Sequence, residues 1–158
     1  MTLRTTGWLR VGLQFALLAI LVLLPWREPT LLSLAVGVPI AAAGVVLGLS
    51  ASRRLGRALT PTPVPIEGAG LRTDGVYARV RHPIYSAVLL LALGFVIAVG
   101  SAWSVGCVLV LLVFFIVKSR WEDRLLHAEY GREWEMWAAR TGALVPRLPG
   151  GGQSSTRP

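Results

Sequence analysis

Four runs of apolar residues, at 8–24, 31–51, 84–99 and 102–117, leave most of the charge in the segments between them. A run of roughly 20 apolar residues wound as a helix matches the hydrocarbon core of a bilayer, where only helices and closed barrels satisfy their own backbone. Composition agrees, since 54% of the 158 residues are hydrophobic, more than a soluble domain of this size hides. The sequence therefore predicts an all-α integral membrane protein with about four transmembrane helices.

Arg4 and Arg10 ahead of the first run give it the look of a signal peptide. However, Pro25-Trp26-Arg27-Glu28-Pro29 offers no small-residue cleavage site, and a second apolar run follows at once, so the segment reads as a retained helix. Pro39 predicts a kink in the second helix. The third and fourth runs, near 16 residues each, meet at Gly100-Ser101. Helices of that length reach only roughly 24 Å, and so short a joint predicts a tight hairpin. One long helix over 84–117 is the competing arrangement. Gly94, Gly100 and Gly106 suit close helix approach.

With four crossings, Arg4, Arg10, Arg53, Arg54, Arg57, Arg72, Arg79, Arg81 and the basic residues from Lys118 onward share one side, leaving Arg27 on the other. The positive-inside rule then puts both termini, and the polar segments, in the cytoplasm. The net charge of +8 thus belongs to loops, and a nucleic-acid groove is not expected. Cys107, the single cysteine, lies in an apolar run, which excludes an intrachain disulfide and a cysteine metal cluster. Residues 150–158, rich in Gly and Ser, read as a disordered tail.

Chemistry is left to two polar segments. The first, 53–83, contains Pro61, Pro63, Pro65, Gly68 and Gly70, which predict an extended loop. It ends in Leu71-Arg72-Thr73-Asp74-Gly75-Val76-Tyr77 and then Arg79-Val80-Arg81-His82-Pro83-Ile84-Tyr85. Pro83 suits the first turn of the third helix, which sets Arg81 and His82 at a helix N-terminus that favours anions. Tyr77 and Tyr85 flank this elbow and can stack on or bond a heteroaromatic ligand. The plain alternative is that the basic residues only anchor the helix to headgroups.

The second segment starts at Lys118-Ser119-Arg120-Trp121-Glu122-Asp123 and runs to about Ala139. Trp121 and Leu125, then Leu126, Tyr130 and Trp134, recur at helical spacing with Trp137 a turn beyond, which predicts an amphipathic interfacial helix. Its tryptophans fit the membrane interface. Glu122 and Asp123 do not suit the end of a transmembrane helix, where the dipole opposes negative charge, so the pair asks for a cation: Lys118, Arg120 or a ligand.

The order of these motifs, continued by Tyr130-Gly131-Arg132-Glu133-Trp134 and by Arg140 ahead of Val145-Pro146, resembles the isoprenylcysteine carboxyl methyltransferase family, a relative of the phospholipid methyltransferases. The likeness covers residues 70–147, while the first two spans match only in hydropathy. It implies S-adenosylmethionine as methyl donor on the cytoplasmic side, a lipophilic acceptor from the bilayer, and no metal. It points to Tyr77, Arg81, His82, Pro83, Tyr85, Lys118, Glu122 and Asp123 for the cofactor, with Arg81, His82, Glu122 and Arg140 in catalysis. Asp123 departs from the pair of glutamates usual in the family, and Arg140 and Pro146 are spaced differently from many relatives. The implied organisation is a two-helix membrane hairpin at 1–52, a methyltransferase-like region at 53–147, and a tail at 148–158.

In these roles, Arg81 and the helix N-terminus suit the donor's carboxylate, Glu122 its ammonium, and a tyrosine its adenine or sulfonium. A carboxylate acceptor needs only orientation, for which Arg140 is available; an amine needs a base, for which His82 or Glu122 is available. A sterol-type reductase using NADPH and a non-enzymatic membrane scaffold are the alternatives. The two carboxylates argue against a polyanionic cofactor.

Overall fold

The computed structural model describes residues 3–56 and 70–147, all of whose regular elements are helical apart from two isolated backbone bridges. In chain order the helices are α1 (Leu3–Leu23), α2 (Leu31–Leu55), α3 (Pro83–Val99), α4 (Ala102–Tyr130) and α5 (Arg132–Arg140), with a 3-10 turn at Gly75–Ala78 before α3. Pro61, Pro63, Pro65 and Gly68 of the expected loop, and the expected tail, lie outside the described residues.

Among the described residues, three helices are long and apolar enough to cross a membrane: Thr5–Leu23, Leu31–Leu55 and Ala102–Tyr130. Their outward faces are oily, with Phe15 63%, Leu31 87% and Val113 60% exposed, a pattern that water does not tolerate and lipid does. The fourth expected span, α3, is apolar but stops at 17 residues, because Pro83 fixes its start and the chain turns extended at Gly100.

The joint at Gly100-Ser101 is a true break, so the single helix over 84–117 does not form. Ser101 caps α4 reciprocally with Ser104, and Trp26 and Arg27 pair with the end of α3 through a bridge to Gly100 and a bond from Arg27 N to Val99 O of 2.9 Å. Thr30 caps α2 in the same reciprocal way with Ser33, whose hydroxyl also donates to Ala98 O at 3.0 Å. Pro39 lies inside α2 without ending it.

The antiparallel pair α2 and α3 is the most extensive contact in the bundle. It closes on small residues: a Cβ on Gly94 would stand 2.5 Å from Ala41 N and 2.6 Å from Gly37 O, and one on Gly44 2.9 Å from Ala87 O. Gly94 thus serves close approach as expected. Gly106 does not, since a Cβ there meets nothing within 4 Å, and Gly37 and Gly44 take that role instead. The core between α1, α3 and α4 holds Leu21, Ala92, Val96, Leu111 and Phe115, with Cys107 packed at its edge.

The second polar segment is not one interfacial helix. Its first half continues α4, a helix of 29 residues, until Gly131 breaks it at φ +49°, a conformation that side chains other than glycine rarely adopt. Only α5 follows as a short amphipathic helix. Trp137 is a core residue rather than an interfacial one: it is 2% exposed, packs with Ala51 and Tyr77, and donates from Nε1 to Tyr77 O at 2.8 Å.

Replacing Gly94 by valine is expected to force α2 and α3 apart and cost about 3 kcal/mol, seen as a lower melting temperature in detergent, while Gly106→Ala leaves it unchanged. Equal effects at the two glycines would contradict this packing.

Candidate active site

Antiparallel packing brings the polar ends of α1, α3 and α4 to one end of the bundle, and there the two polar segments meet. Arg81 reaches Asp123 from Nε at 3.2 Å and from Nη2 at 3.1 Å. Its Nη1 donates to Thr141 O at 2.8 Å and to Ala138 O at 3.4 Å. All three guanidinium nitrogens are thereby engaged, with both side chains of the ion pair mostly shielded from water at 14% and 13% exposure.

His82 stands between both carboxylates, with Nε2 2.9 Å from Asp123 Oδ1 and Nδ1 3.4 Å from Glu122 Oε2. Two carboxylates facing both ring nitrogens favour an imidazolium. Burial alone lowers the pKa of His82, but the hydrogen bonds and charges of Asp123 and Glu122 outweigh it and raise it to about 9. The partners of the acidic pair are therefore the elbow residues Arg81 and His82, not Lys118 or Arg120.

Tyr85, one turn into α3, donates to Glu122 Oε2 at 2.7 Å. Its ring lies parallel to His82, 5.4 Å between centroids, and stacks on Phe115 at 4.9 Å. The ammonium of Lys118, 4.7 Å above the Tyr85 ring, donates to Gln14 Oε1 at 2.6 Å. Glu122 Oε1 accepts no hydrogen bond from the described residues, and its side chain is 20% exposed.

The remaining expected residues are placed differently. Pro83 is buried at the first position of α3. Tyr77 sits beside the cluster, in the small core with Ala51 and Trp137, where burial and then the charge of Glu122 push its phenol pKa up. Arg140 is not brought in: it is exposed at the end of α5 and makes no ion pair among the described residues.

Two contributors are absent from the sequence reading. Residues 141–144 dock along the elbow, with Arg81 N donating to Gly142 O at 2.8 Å and His82 N to Ala143 O at 3.0 Å, while the Ser86 hydroxyl donates to Leu144 O. Thr141, 1% exposed, bonds back to Trp137 O. No side-chain pattern announces a backbone docking of this kind. Gln14 is the other, and it does leave a signal, as a lone amide inside an apolar run.

Helices of membrane-crossing composition, with an Arg-His-Pro elbow latched to an acidic pair at one end, define the class. Residues 32–133 match the model of the phospholipid methyltransferase family, and the chain belongs to that family. Its likeness to isoprenylcysteine carboxyl methyltransferases, expected from the motifs, holds. The probable protein-S-isoprenylcysteine O-methyltransferase of Oryza sativa subsp. indica is 36% identical over 77 residues, which are 48% of this chain and 40% of that protein. The protein-S-isoprenylcysteine O-methyltransferase of Schizosaccharomyces pombe is 34% identical over 80 residues, 50% of this chain and 34% of that one. The matched stretch thus spans well under half of each relative.

Two outcomes follow from the latch, with the exposed Arg54–Asp74 pair as a comparison. Asp123→Ala strands Arg81 and His82 and is expected to cost about 3 kcal/mol in denaturant unfolding. Arg54→Ala, at the exposed pair with Asp74, is expected to cost under about 1 kcal/mol. Because the folded pKa of His82 lies above its ordinary 6.5, its stabilisation is complete below about 6.5 and is lost as pH rises through about 9. The melting difference between wild type and His82→Gln should shrink across that window; a difference that grows with pH contradicts the imidazolium.

Proposed function

We propose that the chain is a membrane-embedded methyltransferase that uses S-adenosylmethionine and delivers its methyl group to a carboxylate or amine of a lipophilic acceptor. The observation that carries the reading is the meeting of His82, Tyr85 and the Glu122-Asp123 pair at the polar end of an apolar bundle. Family membership supplies the methyl-transfer chemistry, and the oily helix faces give an acceptor a route from the bilayer. When bound, the cofactor supplies an electrophilic methyl on a cationic sulfur.

The residues present suit such a ligand. Glu122 keeps a carboxylate oxygen open for an ammonium, and its position is fixed by Tyr85 and His82. The Tyr85 ring is itself covered by His82, Phe115 and Lys118, so Tyr85 serves to hold Glu122. Arg81, with its fork committed to Asp123 and two carbonyls, holds the elbow against α4 rather than meeting the donor's carboxylate. Lys118, 3% exposed with its ammonium on Gln14 and over the Tyr85 ring, would reach that group only by giving up these contacts. An imidazolium at His82 cannot take a proton, so it positions Glu122 and Asp123, and an amine acceptor would depend on Glu122 as base. Asp123, where the family usually has a glutamate, does the holding. We place α3 as a fourth crossing, with both termini and this cluster on the cytoplasmic side.

Membranes containing the protein, incubated with methyl-labelled donor and extracted with organic solvent, should yield a labelled lipophilic product that names the acceptor class. Glu122→Gln is expected to lower labelling at least about 100-fold. Cofactor binding in calorimetry that is the same in wild type and Glu122→Ala would sink the assignment.

A further inference from the structure

The outward face of α4 carries a charge pattern that the cluster above leaves unused. Val117, Arg120 and Arg124 follow one another at helical spacing and line an open groove of about 480 Å³ together with Asp123. Arg120 and Arg124 are exposed, and neither forms an ion pair among the described residues. From α1, Arg10 lays its guanidinium 3.7 Å over the ring of Trp121, and its buried Nη1 has no hydrogen-bond partner among the described residues. The charge of Arg124 acts on Arg10. The one carboxylate in the groove is already held by Arg81 and His82.

Like charges gathered this way raise the energy of the fold unless a counter-ion joins them, and guanidinium forks match phosphate geometry. The groove also has a direction. Val110, Val113 and Val117 are exposed along the same face of α4 and lead away from the arginines into its apolar stretch. A ligand that fits has an anionic head and an apolar tail. We propose that Arg120 and Arg124, with Arg10 beside them on Trp121, bind the phosphate headgroup of an anionic phospholipid whose acyl chains lie along the valine face of α4. The bound headgroup borders Asp123, the residue that holds the elbow, so bilayer composition acts on the order of the neighbouring cluster.

The test uses the full chain purified in detergent and native mass spectrometry, with phosphatidylglycerol and phosphatidylcholine as probes. Wild type is expected to retain phosphatidylglycerol in preference, and Arg120→Ala with Arg124→Ala to weaken that binding about 5-fold for each arginine removed. Arg132→Ala, on an exposed arginine of α5 away from the groove, is expected to keep the preference. Should the double variant melt early, Arg120→Gln and Arg124→Gln taken singly carry the same comparison. Equal retention of both lipids by wild type, or an unchanged preference in the arginine variants, overturns the proposal. Displacement of phosphatidylglycerol by inorganic phosphate at equal concentration also overturns it, in favour of a free anion.

Discussion

Asp123 joins three parts of the chain that sequence keeps far apart. Its carboxylate accepts from Arg81 and His82, and Arg81 in turn gathers the carbonyls of Ala138 and Thr141. An ion pair at the edge of an apolar bundle feels a lower dielectric than one in water, so each charge there depends on its partner. Tyr85 and Glu122 are oriented by this latch, because His82 bridges the two carboxylates and stacks on Tyr85.

The latch requires that α3 begin at a fixed place, and α2 provides it. Gly37, Gly44 and Gly94 let the two backbones come into contact, while Ser33 ties the start of α2 to the end of α3. Pro83 then starts α3 with no backbone donor to satisfy. Where lipid offers no hydrophobic drive between helices, such close packing is a main source of order.

Much of this was legible. The apolar runs gave the helices nearly to the residue at Leu31, Val99 and Ala102, because caps and breakers act locally. The Arg-His-Pro elbow and the acidic pair were legible as chemistry in need of partners, and the hairpin brought them together. The pairing itself was not, since Lys118 and Arg120 were nearer in sequence than Arg81 and His82. The end of α4 was misplaced because its amphipathic spacing runs unbroken through Gly131, and only the backbone shows the turn. Trp137 read as a membrane-interface residue, yet it fills a core completed by Ala51 from a distant helix. Residues 141–144 bind through main-chain atoms, which all sequences share.

That last contact bears on the order in which the protein comes into being. The elbow leaves the ribosome some 60 residues ahead of the carbonyl at Thr141 that completes the coordination of Arg81. Until then, the elbow can pair with Asp123 of α4 but lacks its full set of acceptors. Residues 138–141 follow Asp123, and a nascent chain interrupted between the two would hold the ion pair without the carbonyls that complete the coordination of Arg81.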